Sequence, residues 1–197
     1  MMDTSQKIIA ALERIGQSLR SLLLSHAFAE GLSVTQSQLL LQCYLQPGRL
    51  YTVSELAAEL DLTQPTVSDA ISALQRKGLL QKLQREDDRR AVAVALTPRG
   101  RALARRLWQQ HTQRFEEVIA RFSAEEQALL LHLLLRFIAY AYESGALQST
   151  RTCPTCRFFV QRQSESGTSY FCALLEQPLT LTDLRVLCPD HEPISTA

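Results

Sequence analysis

With 197 residues, 46% of them hydrophobic and 21% charged, the chain can build one good core, or a domain with an appendage, and its composition is neither that of a disordered protein nor that of a membrane protein. Its longest apolar run, Ala128 to Tyr142, is broken by His132 and Arg136 and is too short to span a bilayer; residues 1–20 alternate polar and apolar side chains with Asp3 near the start, unlike a signal peptide. A cytoplasmic protein with no membrane partner is expected, and its formal net charge of +1 conceals an asymmetry: residues 76–106 hold ten Lys or Arg against Glu86, Asp87 and Asp88, leaving this segment at +7 and the rest at −6.

In chain order, Ile8, Ile9, Leu12, Ile15, Leu19, Leu22 and Leu23 recur with a helical period over residues 5–30, and Gly31 supplies a stop. A second helix is expected after Thr35, where Thr35 to Gln38 has the form of a capping box, and it ends at Pro47-Gly48. Thr52-x-x-Glu55 opens a short helix through Leu60. Thr63 caps another, with Pro65 in the first turn where proline is tolerated and Gly78 closing it. The period then becomes that of strands, Leu79 to Gln84 and Ala91 to Leu96, around the charged turn Arg85 to Arg90. Thr97-Pro98 begins a long helix to about Phe122, and Ser123-x-x-Glu126 caps a last one to Glu143. Gln148-Ser149-Thr150 reads as a polar linker that divides the chain into residues 1–147 and 148–197. Beyond it the helical period stops; Phe158-Phe159-Val160 and Tyr170-Phe171-Cys172 read as short strands around the turn Ser164 to Thr168.

Three helices followed by a two-stranded wing is the order of a winged helix-turn-helix. In that arrangement one helix enters the major groove of double-stranded DNA, and the wing sets a cation on the backbone or minor groove. Thr63, Gln64, Thr66, Ser68 and Asp69 give the third helix a short polar N-terminal end for base edges, while Val67, Ile71 and Leu74 give it an apolar inner face. The +7 segment supplies the charge that phosphate binding needs.

Residues 33–107 resemble the MarR family of bacterial transcriptional regulators, through T-V-S-E-L-A-A-E-L, T-V-S-D-A-I-S-A-L-Q-R-K-G-L-L and D-D-R-R-A-V-A-V-A-L-T-P-R-G. The last segment is similar to the family's wing signature, D-x-R followed by L-T-x-x-G, at Asp88, Arg90, Leu96, Thr97 and Gly100. The resemblance implies that Arg90 reaches the minor groove with Asp88 holding its guanidinium, with Arg85 and Arg89 beside them. It implies a homodimer built by residues 5–30 and 98–143, reading a near-palindromic operator with recognition helices about 34 Å apart. Relatives often take small aromatic effectors between dimer helices and reading head, where this chain has His26, Phe28, Tyr44 and Trp108.

Four of the five cysteines lie in the last part, Cys153, Cys156, Cys172 and Cys188, spaced C-x2-C-x15-C-x15-C. In a cytosolic protein such clustering points to metal rather than disulfides. Two metals are open. A structural zinc would pair Cys153 and Cys156 with Cys188 and His191, leaving Cys172 over. A cluster would use all four cysteines, and the C-x2-C plus two isolated cysteines resembles high-potential iron–sulfur proteins, which implies a 4Fe–4S cluster with Phe158, Phe159, Tyr170 and Phe171 as shield or as a small hairpin core. Cys43, beside Leu39, Leu40 and Tyr44, reads as core, with a thiol sensor as the alternative. No nucleophile–base set, carboxylate pair or phosphate-cradling glycine loop points to an enzyme.

The expectation is therefore a mainly α winged helix-turn-helix with long dimerisation helices and a small Cys-rich metal-binding module. Its function would be DNA-binding regulation, with the cluster sensing redox or cluster status. One alternative is a structural zinc tail on an effector-responsive regulator; another is an electron-carrier or protein-docking tail on a degenerate scaffold.

Overall fold

The structure, a computed structural model, describes residues 2–84, 92–164 and 167–194. Its first part is helical. α1 (Thr4–Ala29) is capped by Asp3, whose carboxylate accepts from the Gln6 amide at 2.8 Å while Gln6 Oε1 accepts from the Asp3 amide at 3.0 Å. α2 (Val34–Leu45) begins earlier than the Thr35 box suggests, because Ser33 and Gln36 form the same reciprocal cap two residues upstream. That register lets Leu32 enter the core and closes the α1 end through its amide on the Ala27 carbonyl. α3 (Val53–Leu60) starts at the expected Thr52–Glu55 box. α4 (Gln64–Arg76) starts at Thr63.

The wing follows. β1 (Leu80–Gln84) pairs antiparallel with β2 (Val92–Leu96), Leu80 facing Leu96, and the Tyr51 carbonyl accepts from the Val94 amide at 2.8 Å, adding a one-residue third rung. α5 (Pro98–Ile119) and α6 (Ala124–Glu143) are long, and no helix among the described residues is long and apolar enough to cross a membrane. Leu39, Leu40, Leu56, Val67, Ile71, Leu74, Val94 and Leu107 are fully buried in one core joining α2–α5 with the wing. Together these elements form a winged helix-turn-helix flanked by long helices.

Thr97 fastens the wing to α5. Its hydroxyl accepts from the Gly100 amide at 3.0 Å and donates to the Gly78 carbonyl at 2.8 Å, tying the helix start to the turn that ends α4. Thr97→Val keeps the shape but strands both partners; a loss of about 1–2 kcal/mol in urea unfolding is expected.

Residues past the linker form a second, much smaller core. Single 3-10 turns at Cys153–Thr155 and Leu181–Asp183 flank a three-stranded antiparallel sheet, β3 (Phe159–Ser164), β4 (Gly167–Cys172) and β5 (Gln177–Leu179). β5 is not among the strands expected from the sequence; it contains Pro178, and as a three-residue edge its missing amide costs nothing. Buried Cys153, Tyr170 and Leu184 close this core against Leu135 of α6.

Candidate nucleic-acid interface and cysteine cavity

α4 divides its side chains as a reading helix should. Val67, Ala70, Ile71 and Leu74 are buried, whereas Thr63, Gln64, Thr66, Ser68 and Asp69 are exposed at its N-terminal end. The Thr63 and Thr66 hydroxyls bond each other at 2.8 Å, so these two present one joint polar edge. Arg85, Asp88, Arg89 and Arg90 lie outside the described residues. Two cations of the basic segment do internal work instead: Lys77 Nζ donates to the Gly31 carbonyl at 2.5 Å and Gln36 Oε1 at 2.8 Å, and Arg106 pairs with Glu30 at 2.6 Å. With Arg76 and Arg99 they line an open cleft of about 640 Å³ between the α1 end, α4 and α5. Of the residues considered for an effector, Phe28 is exposed, and Tyr44 and Trp108 pack on the edge of the main core.

The four tail cysteines arrive from three segments. Cys153 and Cys156 come from the first 3-10 turn, Cys172 from the end of β4, and Cys188 from the last turn. All are free thiols and all line one cavity of about 220 Å³. Phe158 lines it as well. The rest of the apolar wall is Leu174, Leu175 and Leu179, whereas Phe159 and Tyr170 stack at 5.7 Å in the small core and Phe171 is exposed. Of the four aromatics considered as shield, two therefore serve as hairpin core. The leucines were signalled by nothing stronger than their position just after Cys172.

The backbone amide of Arg185 donates to Cys153 Sγ at 3.2 Å, and the Arg185 guanidinium lies 3.9 Å from Cys188 Sγ. Burial raises the Cys153 thiol above its ordinary pKa, the Arg185 amide opposes this, and the neighbouring Cys188, Cys156 and Cys172 raise it further. His191 is placed otherwise: its Nε2 sits 3.0 Å from the Thr155 hydroxyl, and it lines a different cavity with Arg49, Glu59 and Arg151. Among the described residues no three His, Cys, Asp or Glu are gathered closely enough to hold a single metal ion.

A junction joins this module to the reading head. Arg151 donates from Nε to the Cys188 carbonyl at 3.0 Å and from Nη2 to the Pro189 carbonyl at 2.7 Å, and its Nη1 lies 4.0 Å from Glu59 of α3. Glu59 also pairs with Arg49 at 3.0 Å and accepts from the Tyr51 hydroxyl at 3.2 Å and from Gln42. Burial pushes the Glu59 carboxyl above its usual range, with Arg49 opposing. This network leaves no trace in the sequence, because Gln42, Arg49, Tyr51, Glu59 and Arg151 are isolated positions with no shared motif.

Cys43 is buried in the main core, and burial with the nearby Glu59 charge pushes its thiol up to about 12. Iodoacetamide at pH 8 is expected to leave Cys43 unlabelled in the folded protein and to label it fully in urea, read by peptide mass spectrometry.

Residues 30–91 match the model of the MarR family. The chain is 32% identical over 85 residues to the homoprotocatechuate degradative operon repressor of Escherichia coli, an alignment covering 43% of this chain and 57% of that one. The chain spans little more than half the length of that repressor and of the HTH-type transcriptional regulator PecS of Dickeya dadantii, to which it is 31% identical over 91 residues. Among solved structures, a MarR-family regulator from Silicibacter pomeroyi is 25% identical with a TM-score of 0.58, covering 66% of this chain and 86% of that one. NadR in complex with 4-hydroxyphenylacetate shares the fold at 18% identity, with a TM-score of 0.58 over 70% of this chain and 96% of its own.

Proposed function

We propose, from the premise that this chain carries a MarR-family winged helix, that it is a homodimeric DNA-binding regulator whose four tail cysteines hold a 4Fe–4S cluster and sense its occupancy or redox state. The observation that carries the reading is the single cavity lined by all four cysteines, in a module whose core is completed by Leu135 of α6. A tetrahedral zinc needs four ligand atoms about 2.0–2.3 Å from one point. A cubane of iron and sulfide is a larger body, and a cavity of about 220 Å³ lined by all four thiols offers room for one. The amide and guanidinium of Arg185 aimed at two of the sulfurs fit that use, since hydrogen bonds to ligating sulfur stabilise the anionic cluster.

Dimerisation is supported by what the isolated chain leaves uncovered. α1 buries Ala27 alone of its residues, exposing Ile8, Ile9 and Ile15, and α6 exposes Leu129, Leu130, Leu133, Leu134 and Phe137. Apolar surface on that scale calls for a partner, and a second copy would place two α4 helices on one face of DNA. When bound, the cluster supplies four-point fixation of three chain segments and a redox couple. Fixing those segments would bias α6 and the spacing of the reading helices, and a coupling of ~1–3 kcal/mol gives a useful shift in operator affinity. The basic cleft of Arg76, Arg99 and Arg106 is where an anionic small-molecule effector would fit.

Anaerobic purification followed by a visible spectrum, with iron, sulfide and zinc analysis of the same sample, tests the cysteine half. A brown protein with matched iron and sulfide supports it, and a colourless protein with one zinc per chain sinks it. The DNA half is tested on a duplex selected by the protein from a random pool: Arg90→Ala is expected to weaken binding about 10- to 100-fold and to lower the salt slope by about one.

A further inference from the structure

We propose that Arg151 is a positioning residue through which ligation of Cys188 sets the conformation of α3 and the base of the wing; the proposal rests on the reading of the four cysteines given above. Arg151 grips the last cysteine turn through its own carbonyl and its guanidinium. Its carbonyl accepts from the Cys188 amide at 3.0 Å, and its side chain holds the Cys188 and Pro189 carbonyls and, at 3.4 Å, that of His191. A parallel bridge to Leu187 adds to this hold. The turn that presents the Cys188 thiol is thus built on one guanidinium.

The same guanidinium reaches the reading head. Its Nη1 lies 4.0 Å from Glu59 Oε1, with the two side chains 14% and 10% exposed, so the pair is shielded from salt. Glu59 is not a passive endpoint. It receives Arg49, which lies over the Tyr51 ring at 4.5 Å, and it accepts from the Tyr51 hydroxyl, while the Tyr51 backbone holds Val94 of the wing. Glu59 also lies on α3, which packs against α4. One carboxylate therefore meets the helix before the reading helix, the wing base and the cysteine turn.

A guanidinium is a planar fork whose donors move together. With Cys188 held by its sulfur, the turn from 188 to 191 is fixed and the fork keeps its orientation toward Glu59. With Cys188 released, the turn loses that anchor, the fork follows the carbonyls it binds, and Glu59 falls back on Arg49. α3 and the Tyr51 rung then exchange between arrangements. By linkage, whatever the DNA-bound head does to Glu59 must change cluster retention by the same factor.

Amide hydrogen exchange of the 53–60 peptide tests this in the full chain, comparing cluster-loaded protein with protein stripped of iron by chelation. Exchange is expected to be at least about fivefold slower in the loaded wild type. The loaded-to-stripped ratio is expected to fall within about twofold in Arg151→Met, which keeps the aliphatic stem, and in Glu59→Gln, which keeps polar partners for Tyr51 and Gln42. Iron and sulfide content, measured on the same samples, separates the two levels. A chain that takes up no metal at its cysteines overturns the underlying reading and this one with it. A loaded protein whose α3 exchange is unchanged on stripping, or whose ratio survives in Glu59→Gln, overturns the positioning role alone. Should Arg151→Met fail to fold, Glu59→Gln decides.

Discussion

Serine at any one of Cys153, Cys156, Cys172 or Cys188 is expected to lower the iron and sulfide of anaerobically isolated protein from about four each per chain to a tenth of that or less, with loss of the visible band, whereas His191→Ala leaves both in place. The reasoning is geometric and chemical. Each thiol lines the same cavity, so each is one corner of the site, and a serine oxygen is a hard ligand poorly matched to iron–sulfur chemistry. His191 is bonded to Thr155 and lines a separate cavity. A zinc knuckle built on His191 predicts the reverse pattern, with Cys172→Ser tolerated and His191→Ala losing the metal. The expected loss extends to the fold of the module. Among the described residues its buried hydrophobic side chains are Cys153, Cys156, Tyr170 and Leu184, completed by Leu135 of α6, which is far too little to order some fifty residues without a staple. Amides of β3 and β4 in the serine variants should therefore exchange as in the stripped wild type, while those of α2 and α4 stay protected.

Gly100→Ala is expected to cost at least about 3 kcal/mol and to lower Tm by roughly 10 °C. A methyl at Gly100 would lie 1.9 Å from the Leu79 carbonyl oxygen and 2.8 Å from its carbon. Neither is the end of a mobile side chain. The Leu79 carbonyl accepts from the Thr97 amide at 3.1 Å, and Leu79 itself is buried, so the obstacle is fixed from both sides. Relief would require moving the start of α5 away from β1 and breaking the Thr97 cap. Urea unfolding of Gly100→Ala beside Thr97→Val separates the two costs: the threonine variant loses hydrogen bonds with the backbone in place, and the glycine variant displaces the backbone.

Much of the fold was legible because its signals are local. Caps at Thr52, Thr63, Thr97 and Ser123 stand within three residues of the amides they satisfy, and the change from helical to strand period after Gly78 announced the wing. Two overlapping boxes, Ser33–Gln36 and Thr35–Gln38, compete for the α2 start, and the burial of Leu32 decides between them. The exposed polar end of α4 followed from its apolar spacing alone. The tail was legible as a cysteine pattern but not as a cavity, since spacing cannot say whether Phe159 and Tyr170 face the thiols or α6.

Period, caps and residue type act over a turn or two of chain, and they alone specify the long helices, the wing, the reading helix with its inner and outer faces, and four thiols in one short module. The tertiary structure decided that the four thiols share one cavity and that His191 turns away from it. It also decided that Gly100 stands against the Leu79 carbonyl, and that Arg151 meets Glu59. Each of these depends on how separately formed elements pack, where a single donor or one missing methyl is placed by many distant contacts and leaves no periodic trace along the chain.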